Sequence, residues 1–566
     1  MLADRKYLGF SEDIFSAKMK GEFVYDANKR RRKDHMNNYK LNLEKYAALA
    51  RQAAAEGCVL LENRDQALPL KAGEKVAVFG RMAFHYYKSG LGSGGLVNTR
   101  YTVGILDALK GNKELHLDEK LLEIYSRWIE ENPFDEGEGW GKVPWCQKEM
   151  PVTEEMLECA GKNDVSLVVI GRTAGEDQDN NAGAGSYCLT ETEEELIAKV
   201  CAASRRTVVV LNVGNIIDMS WVAKYQPQAV IYVWQGGQEG GNGAVDVLTG
   251  KVCACGKLTD TIAADIHDYP STADFGDPYK NFYKEDIYVG YRYFETFAKD
   301  KVLYPFGYGL SYTTFETKAE ISGNTEDELT VSATVTNTGS VKGKEVVQVY
   351  ASAPEGQLEK PYQELAGYAK TDELAPGESQ VLTITYDTSE MGSYDTDQAA
   401  YIMEDGDYII RVGNSSRNTH VAAKLNVSQD IITEQYSNLM VPVTENPNLA
   451  DDEKYPDLEP MTTEGATPIT YDGETDEIAA AQTIAVDFAD YEAPEIIKEN
   501  EDVTVYTSDT TQTEYLFADN VDGATGEVSR VEKGNKNSSD YTLSYKEHVK
   551  KFDGDFSKST LMDVKV

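Results

Sequence analysis

The sequence predicts an α/β fold, an open and mostly parallel α/β/α sandwich, followed by an all-β sandwich and an extended acidic C-terminal segment. Three observations carry this. From about 41 to 312, short β-branched apolar runs alternate with amphipathic helical stretches, the pattern of a parallel sheet covered on both faces. From 313 to 427 the pattern becomes short alternating strands separated by turn signals. From 428 to 566 the chain is acidic and poor in apolar residues, as a linker would be.

Taken in order, residues 1–40 form an N-terminal leader without an apolar run long enough for a signal peptide, so a cytoplasmic location is expected. Its basic run, Lys29 to Lys33, has no interleaved aromatic residues and reads as a solvated face. The helix candidate LEKYAALARQAAAEG then precedes the strand KVAVFG at 75–80. Strands follow at 166–171 (SLVVIG), 207–214 (TVVVLNVG) and 229–237 (AVIYVWQGG), each ending in glycine or a small polar turn. Helices are expected at 118–132, 190–204 and 241–250, the second opening with a capping pair, Thr190 and Glu193. The segments LTVSATVTNTGS, EVVQVYASAP, SQVLTITYD and GDYIIRVGNSS then suit an immunoglobulin- or fibronectin-like module. Beyond it, QTIAVDF and DVTVYTS are strand-like pieces able to pack on a neighbour.

Composition narrows the function. Hydrophobic residues at 41% and charged residues at 27% describe a folded globular protein. A formal net charge of −40 repels nucleic acid and anionic membrane, so neither is an expected partner. No stretch approaches the length of a membrane span. The seven cysteines are scattered through apolar segments of the first half, which reads as free thiols in a reducing compartment. Cys253-Ala-Cys255 lacks zinc spacing and a second pair, and the six histidines are dispersed, so no metal or cofactor is expected.

Ligands of an open α/β sheet bind beyond the carboxyl ends of its strands, so the loops there are the places for chemistry. The loop after SLVVIG runs Arg172-Thr-Ala-Gly-Glu176-Asp177-Gln-Asp179 and is rich in glycine and acid. Glycosidic cleavage needs a carboxylic acid that protonates the leaving oxygen, and a second carboxylate across the anomeric carbon. Glu176 suits the first role, although a solvated acidic loop would have the same composition. The loop Gly90-Leu-Gly92-Ser93-Gly94-Gly95 lies about ten residues after its strand with no Walker lysine, so close backbone packing or a substrate-facing turn fits better than a phosphate cradle. Trp234-Gln-Gly-Gly-Gln-Glu239 reads as a tight strand-to-helix turn with a packed indole.

Read together, several segments resemble glycoside hydrolase family 3, in order and spacing, over about 41–427. They are AALARQAAAEGCVLLENRDQALPL at 47–70, VAVFGR with the GLGSGG loop, AGED at 174–177, VVVLNVGN, IYVWQGGQEGGNGAVDVLTGKV and GKLTDTIA at 256–263. Most specific are Tyr283-Lys-Glu-Asp-Ile-Tyr-Val-Gly-Tyr-Arg-Tyr-Phe294 and YPFGYGLSYTTF at 304–315, and NTGSVKGKEVVQVY with ELAGYAK then resembles the family's fibronectin type III-like domain.

The resemblance implies a β-glucosidase-like retaining enzyme with inverted domain order, acting on an oligosaccharide or β-glycoside. The AGED loop gives Glu176 as general acid/base, with Arg172 and Asp177 as cleft neighbours binding substrate. Family loops often continue Asp-Arg, whereas Asn180 follows Asp179 here. The family's nucleophile lies in a Ser-Asp-Trp segment of a (β/α)₈ barrel of roughly 250 residues, and that tripeptide does not occur in this chain. The terminal SKSTLMDVKV reads as a lead-in to such a barrel, so a truncated chain or half of a split enzyme is expected, inactive alone, its barrel partner acting in cis or in trans. The alternatives are a non-catalytic carbohydrate-binding or scaffolding protein and, more distantly, a nucleotide-binding α/β protein.

Overall fold

The computed structural model describes residues 42–436, except 93–94, 96, 140, 174, 177–179, 274, 277–284 and 324–327, and beyond them 475–485, 514–518, 528–530 and 560–564. The leader with its basic run, Asp177, Asp179, Tyr283, the strand-like DVTVYTS and most of the acidic segment therefore lie outside the described residues.

The first layered unit runs α1 (Leu43–Gly57), β1 (Val59–Asn63), β2 (Lys75–Phe79), α2 (Ile105–Gly111), β3 (His116–Leu117), α3 (Glu119–Glu131), α4 (Glu154–Lys162), β4 (Val165–Arg172), α5 (Glu191–Ala203), β5 (Thr207–Val213), α6 (Ser220–Tyr225), β6 (Ala229–Tyr232) and α7 (Gly240–Leu248). Its six strands lie in the order β1-β6-β5-β4-β2-β3. All neighbouring pairs are parallel except β1 with β6. The alternation of apolar side chains decides the layering. Val76, Val78, Leu167, Val169, Val208 and Val210 point into one core with residues of α1, α2 and α7. Ala77, Phe79, Val168, Ile170, Val209 and Leu211 point into the other with α3, α4, α5 and α6. Every residue of β4 and of β5 is buried. At roughly 1.5–3 kcal/mol for each large apolar side chain buried, helices on both faces are what make such strands stable.

Helices α1, α3, α4 and α5 start where the sequence provides a side-chain cap. Thr190 accepts from the Glu193 amide while the Glu193 carboxylate accepts from the Thr190 amide, the predicted capping box. Asn42, Asp118 and Thr153 cap α1, α3 and α4. The edge strand β1, the helices α2, α4 and α6 and the short β3 were not among the expected elements.

A connecting region carries β7 (Ile262–Ala263), α8 (Tyr291–Phe297) and β8 (Val302–Tyr304). The β-sandwich that follows comprises β9 (Phe315–Ser322), β10 (Glu328–Asn337), β11 (Val346–Ser352), β12 (Glu364–Lys370), β13 (Ser379–Asp387), β14 (Ser393–Asp395), β15 (Ala400–Met403), β16 (Gly406–Gly413), β17 (Thr419–Val427) and β18 (Ile431–Gln435). The sheets β13-β10-β9 and β12-β11-β16-β17 enclose one core that includes Val331, Val335, Val349, Ile384, Ile410 and Leu425. The helix α9 (Thr475–Ala480) leads to β19 (Gln482–Ala485), which adds to β17 in parallel and sends Ile484 into that core. The described part of QTIAVDF, Gln482–Ala485, thus packs on a neighbour. Further along, β20 (Glu514–Ala518) pairs antiparallel with β21 (Val528–Arg530) and β22 (Thr560–Val564), the last drawn from the terminal SKSTLMDVKV.

The described residues of the two most specific sequence segments join the layered unit to the sandwich. Tyr291 stacks on Phe306 with ring centroids 4.7 Å apart and its hydroxyl accepts from the Leu365 amide. Glu295, fully buried, accepts from Arg417 at 3.0 Å and from Ser416 at 3.2 Å. Tyr304 donates to Glu62, Tyr308 to the Leu61 carbonyl and Tyr312 to the Val247 carbonyl. Across the seam Glu56 meets both Lys344 and Lys370 at 2.8 Å. Among the described residues no helix is long and apolar enough to cross a membrane.

Candidate active site

The strand order reverses at β2. Its connection to β3 goes outward, and the chain then crosses back so that β4 lies on the other side of β2. The crevice beyond the carboxyl ends of β2 and β4 is therefore the topological switch point, where an open α/β sheet binds its ligands. Both loops singled out in the sequence end there. Leu91 of the glycine-rich loop and Gly175 of the acidic loop form a parallel β-bridge, and the next residue, Glu176, stands exposed on a turn.

The glycine-rich loop is a packing device. Ser89 donates to the Gly95 carbonyl at 3.1 Å, and the Gly95 amide to Gly92 at 3.2 Å. A Cβ at Gly92 would lie 2.5 Å from Glu176 Cβ, and one at Gly175 would lie 2.5 Å from the backbone nitrogen and oxygen of Leu91. Close backbone approach, one of the two expected readings, is what these glycines allow.

Arg172, expected at the cleft as a substrate contact, lies fully buried beneath it. Nη1 and Nη2 reach the two oxygens of Glu193 at 2.6 and 2.7 Å. Nε donates to the Ser186 carbonyl, Nη1 to Gly171 and Nη2 to Cys188. All five guanidinium N–H groups are thereby engaged, leaving none for a sugar hydroxyl. Burial works against its charge, but the Glu193 carboxylate outweighs it and raises the Arg172 pKa. The residue ties the end of β4 to the loop that returns to α5. Its own carbonyl accepts from the Gly214 amide and from Gln235 Nε2, joining the ends of β5 and β6.

Two supporting residues escaped the sequence reading. Asn212 lies in the apolar run of β5. Its Oδ1 accepts from the Tyr87 amide at 2.8 Å, and Nδ2 donates to the Tyr87 and Trp234 carbonyls. A lone amide within TVVVLNVG was the available signal. The second is Glu149, which accepts from the amides of Arg81 and Met150 at 2.9 and 2.7 Å beneath the end of β2. Burial pushes its carboxyl up to about 7, with the two amides pulling the other way. Trp234 is a packed turn residue as expected, 4.5 Å from the Tyr232 ring, with its indole N–H donating to the Gly57 carbonyl.

The family model described as the glycosyl hydrolase family 3 C-terminal domain matches residues 58–312. Residues 58–312 belong to glycosyl hydrolase family 3. A fibronectin type III-like domain matches residues 345–416. A β-glucosidase of Ruminococcus albus is 46% identical over 413 residues, 72% of this chain and 43% of that protein. β-Glucosidase A of Butyrivibrio fibrisolvens is 38% identical, over 74% of this chain and 56% of that protein. The crystal structure of a β-glucosidase from Paenibacillus barengoltzii is 48% identical with a TM-score of 0.68, covering 70% of this chain and 45% of that one. The chain thus spans about half the length of the relatives it matches.

Proposed function

We propose that this chain supplies Glu176 as the general acid/base of a retaining, exo-acting β-glycosidase that releases terminal β-linked sugars, glucose above all, from oligosaccharides or glycosides. The observation that carries the reading is the position of Glu176: exposed at the switch-point crevice and fixed by the Leu91–Gly175 bridge one residue before it. The nucleophilic carboxylate comes from a (β/α)₈ barrel outside these 566 residues, in cis or in trans.

In the first step the barrel carboxylate attacks the anomeric carbon while the protonated Glu176 carboxyl gives its proton to the departing oxygen. In the second the Glu176 carboxylate takes a proton from water, and that water displaces the sugar from the ester. Such chemistry sets the two carboxyl groups about 5–5.5 Å apart. Arg172 acts from below, holding the strand end that carries the Glu176 loop. Asp177, adjacent in sequence, is assigned a sugar contact on sequence grounds alone.

With the barrel present, Glu176→Ala should slow glycosides of poorly acidic alcohols by on the order of 10²–10⁴, and activated aryl glycosides far less in the step that forms the ester. Equal loss on both classes would remove proton donation from its role.

A further inference from the structure

Gly92 is the point at which the glycine-rich loop meets the Glu176 side chain itself. A methyl group on its Cα would come within 2.5 Å of Glu176 Cβ and 2.6 Å of Oε2. The carboxyl therefore lies across the bare Cα of Gly92. The contact is reciprocal, since Gly175 must also be without a side chain for its backbone to bridge Leu91. From the third side, a Cβ at Gly141 would stand 3.6 Å from the Glu176 carbonyl oxygen, an ordinary contact. Proton transfer in the transition state needs its donor within hydrogen-bond reach of the leaving oxygen, so a displaced carboxyl loses rate even when its chemistry is intact.

We infer that Gly92 is a positioning residue for the acid/base: the missing side chain at 92 sets where the Glu176 carboxyl lies, and any side chain there moves it off the leaving oxygen. The inference rests on the acid/base reading of Glu176. It gives the loop a task in this reaction that no phosphate requires.

The test is Gly92→Ala, with Gly73→Ala as its control. Both glycines adopt positive φ, +93° and +87°, so alanine strains the backbone at each, but a Cβ at Gly73 meets nothing within 4 Å. In the crystal structure of the 566-residue Gly92→Ala chain, Glu176 Cβ should retreat by about 1 Å to an ordinary carbon–carbon separation. An unmoved Glu176 side chain overturns the inference.

In the barrel-complemented enzyme, Gly92→Ala should lower kcat/KM for alkyl β-glucosides by roughly 10- to 100-fold, a part of what general acid catalysis supplies. Dinitrophenyl β-glucoside should be nearly unaffected, and azide should accelerate its turnover. Gly73→Ala should show neither effect. Parallel loss on both substrates, or the same profile for the two alanine variants, overturns it. Glu176→Ala assayed alongside separates the two failures. If it lacks the leaving-group dependence, the acid/base reading falls; if it shows the dependence and Gly92→Ala does not, positioning alone falls.

Discussion

Arg172 and Glu193 face each other as a fork of two hydrogen bonds, 2.6 and 2.7 Å long, with side chains 0% and 4% exposed. The same carboxylate caps α5, so one residue fixes both the helix start and the strand end beneath the acidic loop. Breaking a buried pair strands the remaining charge, at about 3–5 kcal/mol. Glu193→Ala and Arg172→Met should each destabilise the chain by that amount in urea denaturation. Arg172→Lys should not restore it, since an ammonium cannot span the fork and the carbonyls of residues 186 and 188. The double variant Arg172→Met, Glu193→Leu should recover a large part of the loss.

Asn212 joins the loops after β2 and β6 through three hydrogen bonds from one side chain. Asn212→Leu leaves the Tyr87 amide and two carbonyls without that partner, at about 1–3 kcal/mol for a buried group left unsatisfied. Urea midpoints of the parent and variant measure it. A change below about half a kcal/mol, the size of an ordinary surface substitution, would contradict the assignment.

Glu149 gives a pH dependence of definite sign. Its carboxyl is raised from 4.5 to about 7 in the folded chain, so the native state holds a proton that the unfolded chain has released between these values. The stabilisation is complete below pH 4.5 and lost as pH rises through about 7, and the difference corresponds to roughly 3 kcal/mol. Glu149→Gln should flatten the fall in unfolding free energy between pH 5 and 8. An unchanged slope would show that the proton is not held there.

Glu56 titrates in the opposite sense at the domain seam. Burial raises its pKa, but Lys344 and Lys370 outweigh burial and bring it down to about 2. Its contribution is therefore present above 4.5 and lost as pH falls toward about 2. Glu56→Gln should weaken the seam at neutral pH, seen as earlier separation of two thermal transitions by calorimetry, and should differ least from the parent in acid.

The layered sheet was legible in the sequence because a strand covered on both faces is almost wholly apolar, and β2, β4, β5 and β6 are such strands. Strand β1 was hidden because VLLEN follows a helix directly and ends in polar residues. The Thr190–Glu193 cap could be read because it is local. The second partner of Glu193 could not: Arg172 resembles a loop cation in sequence, and only the return of the loop onto α5 buries it. Glu176 was singled out by its motif, and it stands exposed on the turn after the Leu91–Gly175 bridge. Its contact with Gly92 pairs two distant loops, and nothing in either segment announces it. The tyrosine-rich segments around 283–315 stood out as motifs, yet their described residues serve the seam between domains.

The central claim, half of an active site contributed by Glu176, is tested most directly by hydrolysis of an aryl β-glucoside. The purified 566-residue chain should give no turnover, the chain complemented with a nucleophile-bearing barrel should turn the substrate over with retention of configuration, and Glu176→Ala in that complex should lose glycosides of poor leaving groups. Turnover by the isolated chain, or a complex indifferent to Glu176→Ala, would contradict the account.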